Sequence, residues 1–216
     1  NSRNRGAGTY NQVVSGIKLA RNLRLPVRIS AVLTAESNKE DIDWLVDFAI
    51  KNRAELNFSP SFEFVSRFRQ ESQLPHIIPE KKLRELFLHI LEHKRKNSPI
   101  QFSESSYKIA AHWPFSYEKK KAGFKELPDG YCQSKCSHGD YIVFIDSDGS
   151  IYPCCNFWGK PKHNLREEGL EKAIAALSRE GCQACYIPSY IDRNLFFAGN
   201  ISVWRNYILQ SLKGIL

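Results

Sequence analysis

Apolar residues at Val13, Val14, Ile17 and Ala20 follow a period of three to four, which predicts a helix from about Thr9. The period then changes. Residues 27–34 form a β-rich run that sets Val27, Ile29 and Ala31 on one face and Arg28 and Ser30 on the other. Ser37 followed three residues later by Glu40 reads as a capping box, and Ile42, Leu45, Val46, Ala49 and Ile50 return to helical spacing after it. Residues 55–59 are expected to form a short strand halted by Pro60. Two strands separated by a helix of this length imply a βαβ unit, with parallel strands and helices packed on one face.

An irregular aromatic stretch (Phe62, Phe64, Phe68) leads to Pro79, which opens a third helix carrying Leu83, Leu86, Phe87, Ile90 and Leu91 on its apolar stripe. Residues 97–128 are punctuated by Ser and Pro, and a domain boundary near residue 115 divides the chain into 1–115 and 116–216. In the second part, residues 141–145 and 150–152 are strands of a β-hairpin around Asp146-Ser147-Asp148-Gly149. A helix with Leu170, Ala173, Ile174 and Leu177 on one face comes next, then Cys182-Gln183-Ala184-Cys185, then a last helix over about 201–212. No internal repeat is found.

The 216 residues are 42% apolar and 25% charged, which excludes disordered and collagen-like chains. No apolar run approaches the roughly 18 to 20 residues of a membrane span, and no basic-then-apolar start resembles a secretion signal. A soluble, cytoplasmic protein is expected. The sequence has no methionine and opens on Asn1 in a polar stretch, so it is expected to be a fragment whose missing piece is N-terminal. The net charge of +8 permits an anionic partner. However, the basic runs Lys81-Lys82, His93-Lys94-Arg95-Lys96 and Lys119-Lys120-Lys121 lack interleaved aromatic residues, so a solvated surface is expected rather than a nucleic-acid site.

All six cysteines, Cys132, Cys136, Cys154, Cys155, Cys182 and Cys185, lie beyond residue 131. A CxxC pair sets two thiolates on one tight turn, and a cysteine after a hairpin can face that turn, so four sulfurs converge on a soft metal centre. Disulfides fit less well, because no secretory signal is present and Cys154 and Cys155 are adjacent. Inert core thiols do not account for so local a cluster. On spacing alone a structural zinc and an iron–sulfur cluster both stand, although a zinc ribbon usually brings two CxxC knuckles and one is present here.

The run Cys136-Ser137-His138-Gly139, then Phe144-Ile145-Asp146-Ser147-Asp148-Gly149-Ser150-Ile151-Tyr152-Pro153-Cys154, then Cys182-Gln183-Ala184-Cys185, resembles the C-terminal SPASM or twitch extension of radical SAM enzymes. Arg5-Gly6-Ala7-Gly8-Thr9-Tyr10, the strand at 27–34 and residues 54–60 resemble the portion of the radical SAM partial barrel that comes after its fourth strand. The implied fold is α/β: the later half of a partial (β/α)6 barrel over 1–115, then a small α+β, cysteine-rich twitch/SPASM-like domain with a β-hairpin over 116–216. The CxxxCxxC loop of the catalytic cluster is absent, and no cysteine comes after Cys185, which favours the smaller, single-cluster twitch arrangement.

Matching residue by residue, the resemblance gives Cys136, Cys154, Cys182 and Cys185 as ligands of an auxiliary 4Fe–4S cluster, with Cys155 and Cys132 as substitutes. Neighbours on a strand face opposite ways, so only one of Cys154 and Cys155 can aim at the cluster. The family implies S-adenosylmethionine and a second 4Fe–4S cluster in the full-length protein, a 5'-deoxyadenosyl radical that takes hydrogen from a peptide or small-molecule substrate, and an electron donor such as a flavodoxin or ferredoxin. The chain alone would be inactive, its auxiliary cluster serving electron relay or substrate positioning. Arg5 resembles the arginine that holds the S-adenosylmethionine carboxylate, with Arg3 close by as a second reading. Arg28 and Ser30 are candidates for cofactor or substrate contact, or else belong to a solvent-exposed face. The Gly139 N–H is a candidate donor to cluster sulfur, and Trp158 is a candidate cover for the cluster. His89 and His93 have the spacing of a metal pair, but beside Lys94 and Arg95 a solvated face is expected. The alternative function is a zinc-stabilised four-cysteine module contacting nucleic acid or another anionic partner.

Overall fold

A computed structural model describes residues 8–61, 78–96, 98–117, 119, 121–131, 134–159, 163–177 and 182–212. Helix α1 (Thr9–Asn22) forms where its period predicts, but it buries none of its apolar positions. It meets the next helix through Tyr10, whose ring lies 6.1 Å from that of Trp44. Strand β1 (Arg28–Leu33), helix α2 (Lys39–Lys51) and strand β2 (Glu55–Pro60) make the expected βαβ unit. The strands pair in parallel from Arg28 opposite Glu55 to Leu33 opposite Pro60.

The capping box falls one residue later than Ser37 and Glu40 suggest. Asn38 Oδ1 accepts the Asp41 N–H at 2.8 Å and Asp41 Oδ2 accepts the Asn38 N–H at 3.0 Å. Ser37 Oγ accepts the Thr34 N–H instead. Asn caps at least as well as Ser, and this register lets α2 bury Ile42, Val46 and Ala49. Ile50, expected on the same face, lies round the helix from Ile42 and is exposed.

Helix α3 (Glu80–Arg95) buries all five predicted apolar positions. Beyond it, Ile100 bridges in parallel to Leu56 and extends the β1–β2 sheet by one position. The Ser-punctuated segment beyond that bridge holds helix α4 (Glu104–Ala111), capped by Ser103 Oγ accepting the Ser106 N–H. Its buried face is Ser106, Tyr107, Ala110 and Ala111, and with Tyr107 the one large residue among them the helical period is hidden.

In the cysteine-bearing part, β3 (Lys121–Ala122) precedes β4 (Phe144–Ile145) and β5 (Ser150–Tyr152), which form the expected antiparallel hairpin. Tyr141, expected in the first strand, lies exposed in a turn ahead of it. β6 (His163–Asn164) adds a third strand beside β5 and runs into the short helix α5 (Leu165–Glu168). In α6 (Leu170–Ala175) Ala173 is buried, while Leu170, expected on the same face, is exposed. β7 (Ala184–Cys185) pairs antiparallel with β3 and leads into α7 (Pro188–Phe197) and α8 (Ile201–Leu212). The fold is mixed α/β with small sheets, and among the described residues no sheet closes into a barrel.

One large core unites Leu56, Phe58, Phe87 and Trp113 with Ala184, Tyr186, Ile191, Leu195 and Val203 from the end of the chain. A second core holds Tyr152, Phe157, Ile187 and Tyr190 together with cysteines. The basic runs are less solvated than expected. Lys94 donates to the Ile100 carbonyl at 2.6 Å and to Asn206, Arg95 pairs with Glu104, and the Lys121 ammonium sits 3.7 Å from the Phe157 ring centre. Among the described residues no helix is long and apolar enough to cross a membrane.

Candidate functional site

The hairpin sets Cys154 at the end of β5, where a single 3-10 turn (Cys155–Phe157) bends the chain. Cys182 and Cys185 come from the CxxC entering and ending β7, and Cys136 from the loop before the His138–Ile142 bridge. All four are buried and free of disulfides, whereas Cys155 is only partly buried.

Their electrostatics place them together. Burial first, and then the charges of Cys155, Cys182 and Cys136, push the Cys154 thiol up to about 12. Cys185 is held well above the usual thiol range by burial, with Cys136, Cys182 and Cys154 adding to it. Two backbone N–H groups oppose this: Asn156 donates to the Cys154 sulfur and Ile187 to the Cys185 sulfur. Among the described residues no three of these sulfurs lie within 4.8 Å of one another. The sulfurs of a four-thiolate zinc site stand about 3.8 Å apart, from Zn–S bonds of about 2.3 Å in a tetrahedron.

Cys155 packs against the same core from the partly buried side. Its thiol hydrogen-bonds with Tyr190, whose hydroxyl is raised by burial first and by this neighbour second. Cys132 lies outside the described residues, as do Arg5 and Arg3. The Gly139 N–H does not serve the sulfurs, because it donates to the Ile142 carbonyl at 2.7 Å to close the turn. Trp158 stacks on Tyr152 at 5.5 Å, and Tyr152 packs in the cysteine-bearing core, so the indole covers that core from outside.

Helix α7 positions the site, and no cysteine or histidine in it drew notice in the sequence. Asn194 Oδ1 accepts both the N–H and the hydroxyl of Ser137 at 2.8 Å, which pins the loop carrying Cys136. Tyr190 lies 4.1 Å ring to ring from His138. Asp192 Oδ1 accepts the Ser103 N–H at 2.7 Å and ties the start of α4 to the same helix. Pro188 at the first helical turn, with Ile191 and Leu195 one turn apart, is the signal by which α7 could have been found.

Arg28 and Ser30 stand on the sheet face opposite Ile29 and Ala31, and the structure gives them partners that were not predicted. Arg28 Nε donates to Glu55 Oε2 at 2.8 Å, Gln101 Nε2 donates to the same oxygen at 2.6 Å, and Asn57 Nδ2 donates to Gln101 Oε1 at 3.3 Å. Ser30 Oγ donates to Asn57 Oδ1 at 2.9 Å. Glu55, Asn57 and Gln101 are buried, and Glu55 Oε1 has no hydrogen-bond partner among the described residues. The alternation Glu55-Leu56-Asn57-Phe58-Ser59 carried this polar face in plain view.

His89 and His93 are not simply solvated, because Asp43 of α2 reaches both rings.

Comparison with family models finds no match, and no curated protein matches the chain. Among solved structures, SuiB of Streptococcus suis bound to S-adenosylmethionine is similar at 23% identity and a TM-score of 0.49, covering 74% of this chain and 36% of that one. SuiB alone gives 23% identity and a TM-score of 0.48, and SuiB bound to precursor peptide SuiA 20% and 0.46, with the same coverage. The chain thus spans little more than a third of the length of these structures.

Proposed function

We propose that this chain is part of a radical SAM iron–sulfur oxidoreductase and that residues 116–216 hold an auxiliary 4Fe–4S cluster for electron relay or substrate positioning. The observation that carries the reading is the convergence of four buried thiols, Cys136, Cys154, Cys182 and Cys185, two of which already receive backbone N–H bonds. Buried thiolates at this density are unfavourable without a cationic core, and N–H donors to sulfur are how proteins stabilise such clusters.

Each neighbouring residue has a task in this reading. Asn156 and Ile187 offset thiolate charge. Asn194 holds the Cys136 loop in place through Ser137. Tyr152, Phe157 and Tyr190 exclude water from the sulfurs. A bound cluster supplies one-electron chemistry, and the protein supplies its orientation and dielectric.

Residues 1–115 would contribute the later strands of the partial barrel, with Arg28 and Ser30 in contact with S-adenosylmethionine or substrate and Arg5 on the cofactor carboxylate. The unpartnered Glu55 Oε1 fits this assignment, since a buried acceptor calls for a hydroxyl or ammonium donor. The partners in this reading are a peptide or small-molecule substrate and a cytoplasmic electron donor such as a flavodoxin or ferredoxin. A second cluster is bound by the full-length protein.

Anaerobic expression with iron and sulfide tests the centre. A brown protein with about four irons per chain is expected. Stoichiometric zinc with no iron would overturn the reading in favour of a zinc module.

A further inference from the structure

On the solvent side of the α2–α3 pair, away from every cysteine in sequence, Asp43 Oδ1 lies 2.7 Å from His89 Nε2 and 2.6 Å from His93 Nε2. The two rings meet edge to face at 4.9 Å, and the three polar atoms all lie within 4.8 Å of one another. We propose that Asp43, His89 and His93 form a binding site for a divalent transition-metal ion, separate from the cysteine centre.

Four features support it. First, His89 and His93 are one turn apart on α3, so their Nε2 atoms converge without help, and the third ligand arrives from the neighbouring helix. Second, both rings are largely sheltered while Asp43 is half exposed, which leaves an approach from solvent and room for water on the ion. Third, His89 Nδ1 lies 3.4 Å from Glu92 Oε2, on the ring edge away from the site. That carboxylate adds negative charge beside the site, which favours a bound cation. Fourth, the cations that made a solvated face the expectation are turned aside. Lys94 is engaged by the Ile100 carbonyl and Asn206, and Arg95 by Glu104.

The donor set selects the ion class. Two imidazoles and one carboxylate suit Zn²⁺, Ni²⁺, Co²⁺ or Cu²⁺ rather than the all-oxygen cations Mg²⁺ and Ca²⁺. Ligands at about 2.1 Å from one ion stand about 3.0 to 3.4 Å apart, so Asp43 and the rings need to part by only a few tenths of an ångström to admit it. Without metal, N–H protons hold the nitrogens to the shared oxygen.

Ni²⁺ is a suitable probe. Added below stoichiometry to the whole chain, it should broaden the imidazole proton resonances of His89 and His93 and leave the other four histidines sharp. In equilibrium dialysis, His93→Ala and Asp43→Ala should each weaken Ni²⁺ uptake about tenfold or more, whereas His112→Ala, at an exposed histidine outside the site, should leave this uptake in place. Uptake that survives His93→Ala and is lost in Cys182→Ala would place the ion on the thiolates and overturn the proposal. Uniform broadening of all histidines, which needs no variant to fold, would overturn it as well. Neither result touches the iron content of the cysteine centre, so the two readings fail separately.

Discussion

Gly149 shows how little room single positions leave. It sits at φ +88° in the hairpin turn, and a Cβ there would come 2.8 Å from Asn164 Oδ1, an atom already engaged with the Arg166 N–H. Gly149→Ala is expected to cost about 1 to 2 kcal/mol from the left-handed backbone alone, read as a lower midpoint in chemical denaturation. Unchanged stability would mean that the turn rearranges. The cysteines divide just as sharply. Cys182→Ala and Cys185→Ala should abolish iron retention, whereas Cys155→Ala, whose sulfur faces Tyr190, should leave it intact; equal loss in all three would refute the assignment. Among residues, the thiols were legible because CxxC spacing and the hairpin set the geometry locally. The choice between Cys154 and Cys155 was not, since it depends on which way a 3-10 turn points one strand end.

Helices with a bulky stripe were readable and those without were not. α3 carried five large apolar residues at regular spacing, and every one is buried. α4 packs through Tyr107, Ser106 and two alanines, so one large residue and the Ser103 cap were its cues, and the cap lay among other serines. The α2 cap could be read as a motif but not in register, because Ser37 and Asn38 are both competent and only burial of Ile42 decides between them. Asn38→Ala should therefore cost about 1 kcal/mol, with Ser37→Ala costing less, as measured by thermal unfolding. The sharper test lies in α7. Asn194→Ala leaves the buried Ser137 N–H and hydroxyl without their acceptor, which should cost about 1 to 3 kcal/mol and reduce iron retention although no ligand is changed. Full retention would show that the Cys136 loop needs no such anchor.

Across the whole molecule, α7 lies in two cores at once. Its Ile191 and Leu195 pack in the large core with Phe58, while Tyr190 packs with the cysteines. Anything that binds the folded cysteine centre should then steady the distant strands, by the mass-action linkage between binding and folding. Stripping metal with a chelator is expected to speed amide exchange at Leu56 and Phe58 as well as around Cys185. Exchange confined to the cysteine part would show that the two cores open independently. The parallel pairing of β1 and β2 could be read from chain alternation, yet this tie between cores could not, because it is made by contacts between residues more than 80 positions apart, such as Ser103 with Asp192.

The row of side chains over β1 and β2 has a direction. Ser30 gives its hydrogen to Asn57, Asn57 gives one to Gln101, and Gln101 gives one to Glu55, which also receives Arg28. Every link leans the same way, so the row ends in lone pairs: those left on the Ser30 hydroxyl oxygen, and the open oxygen of Glu55. The bare oxygen lies inside the fold and the Arg28 guanidinium stands half exposed at the rim, so the row buries its acceptor and leaves its cation toward solvent.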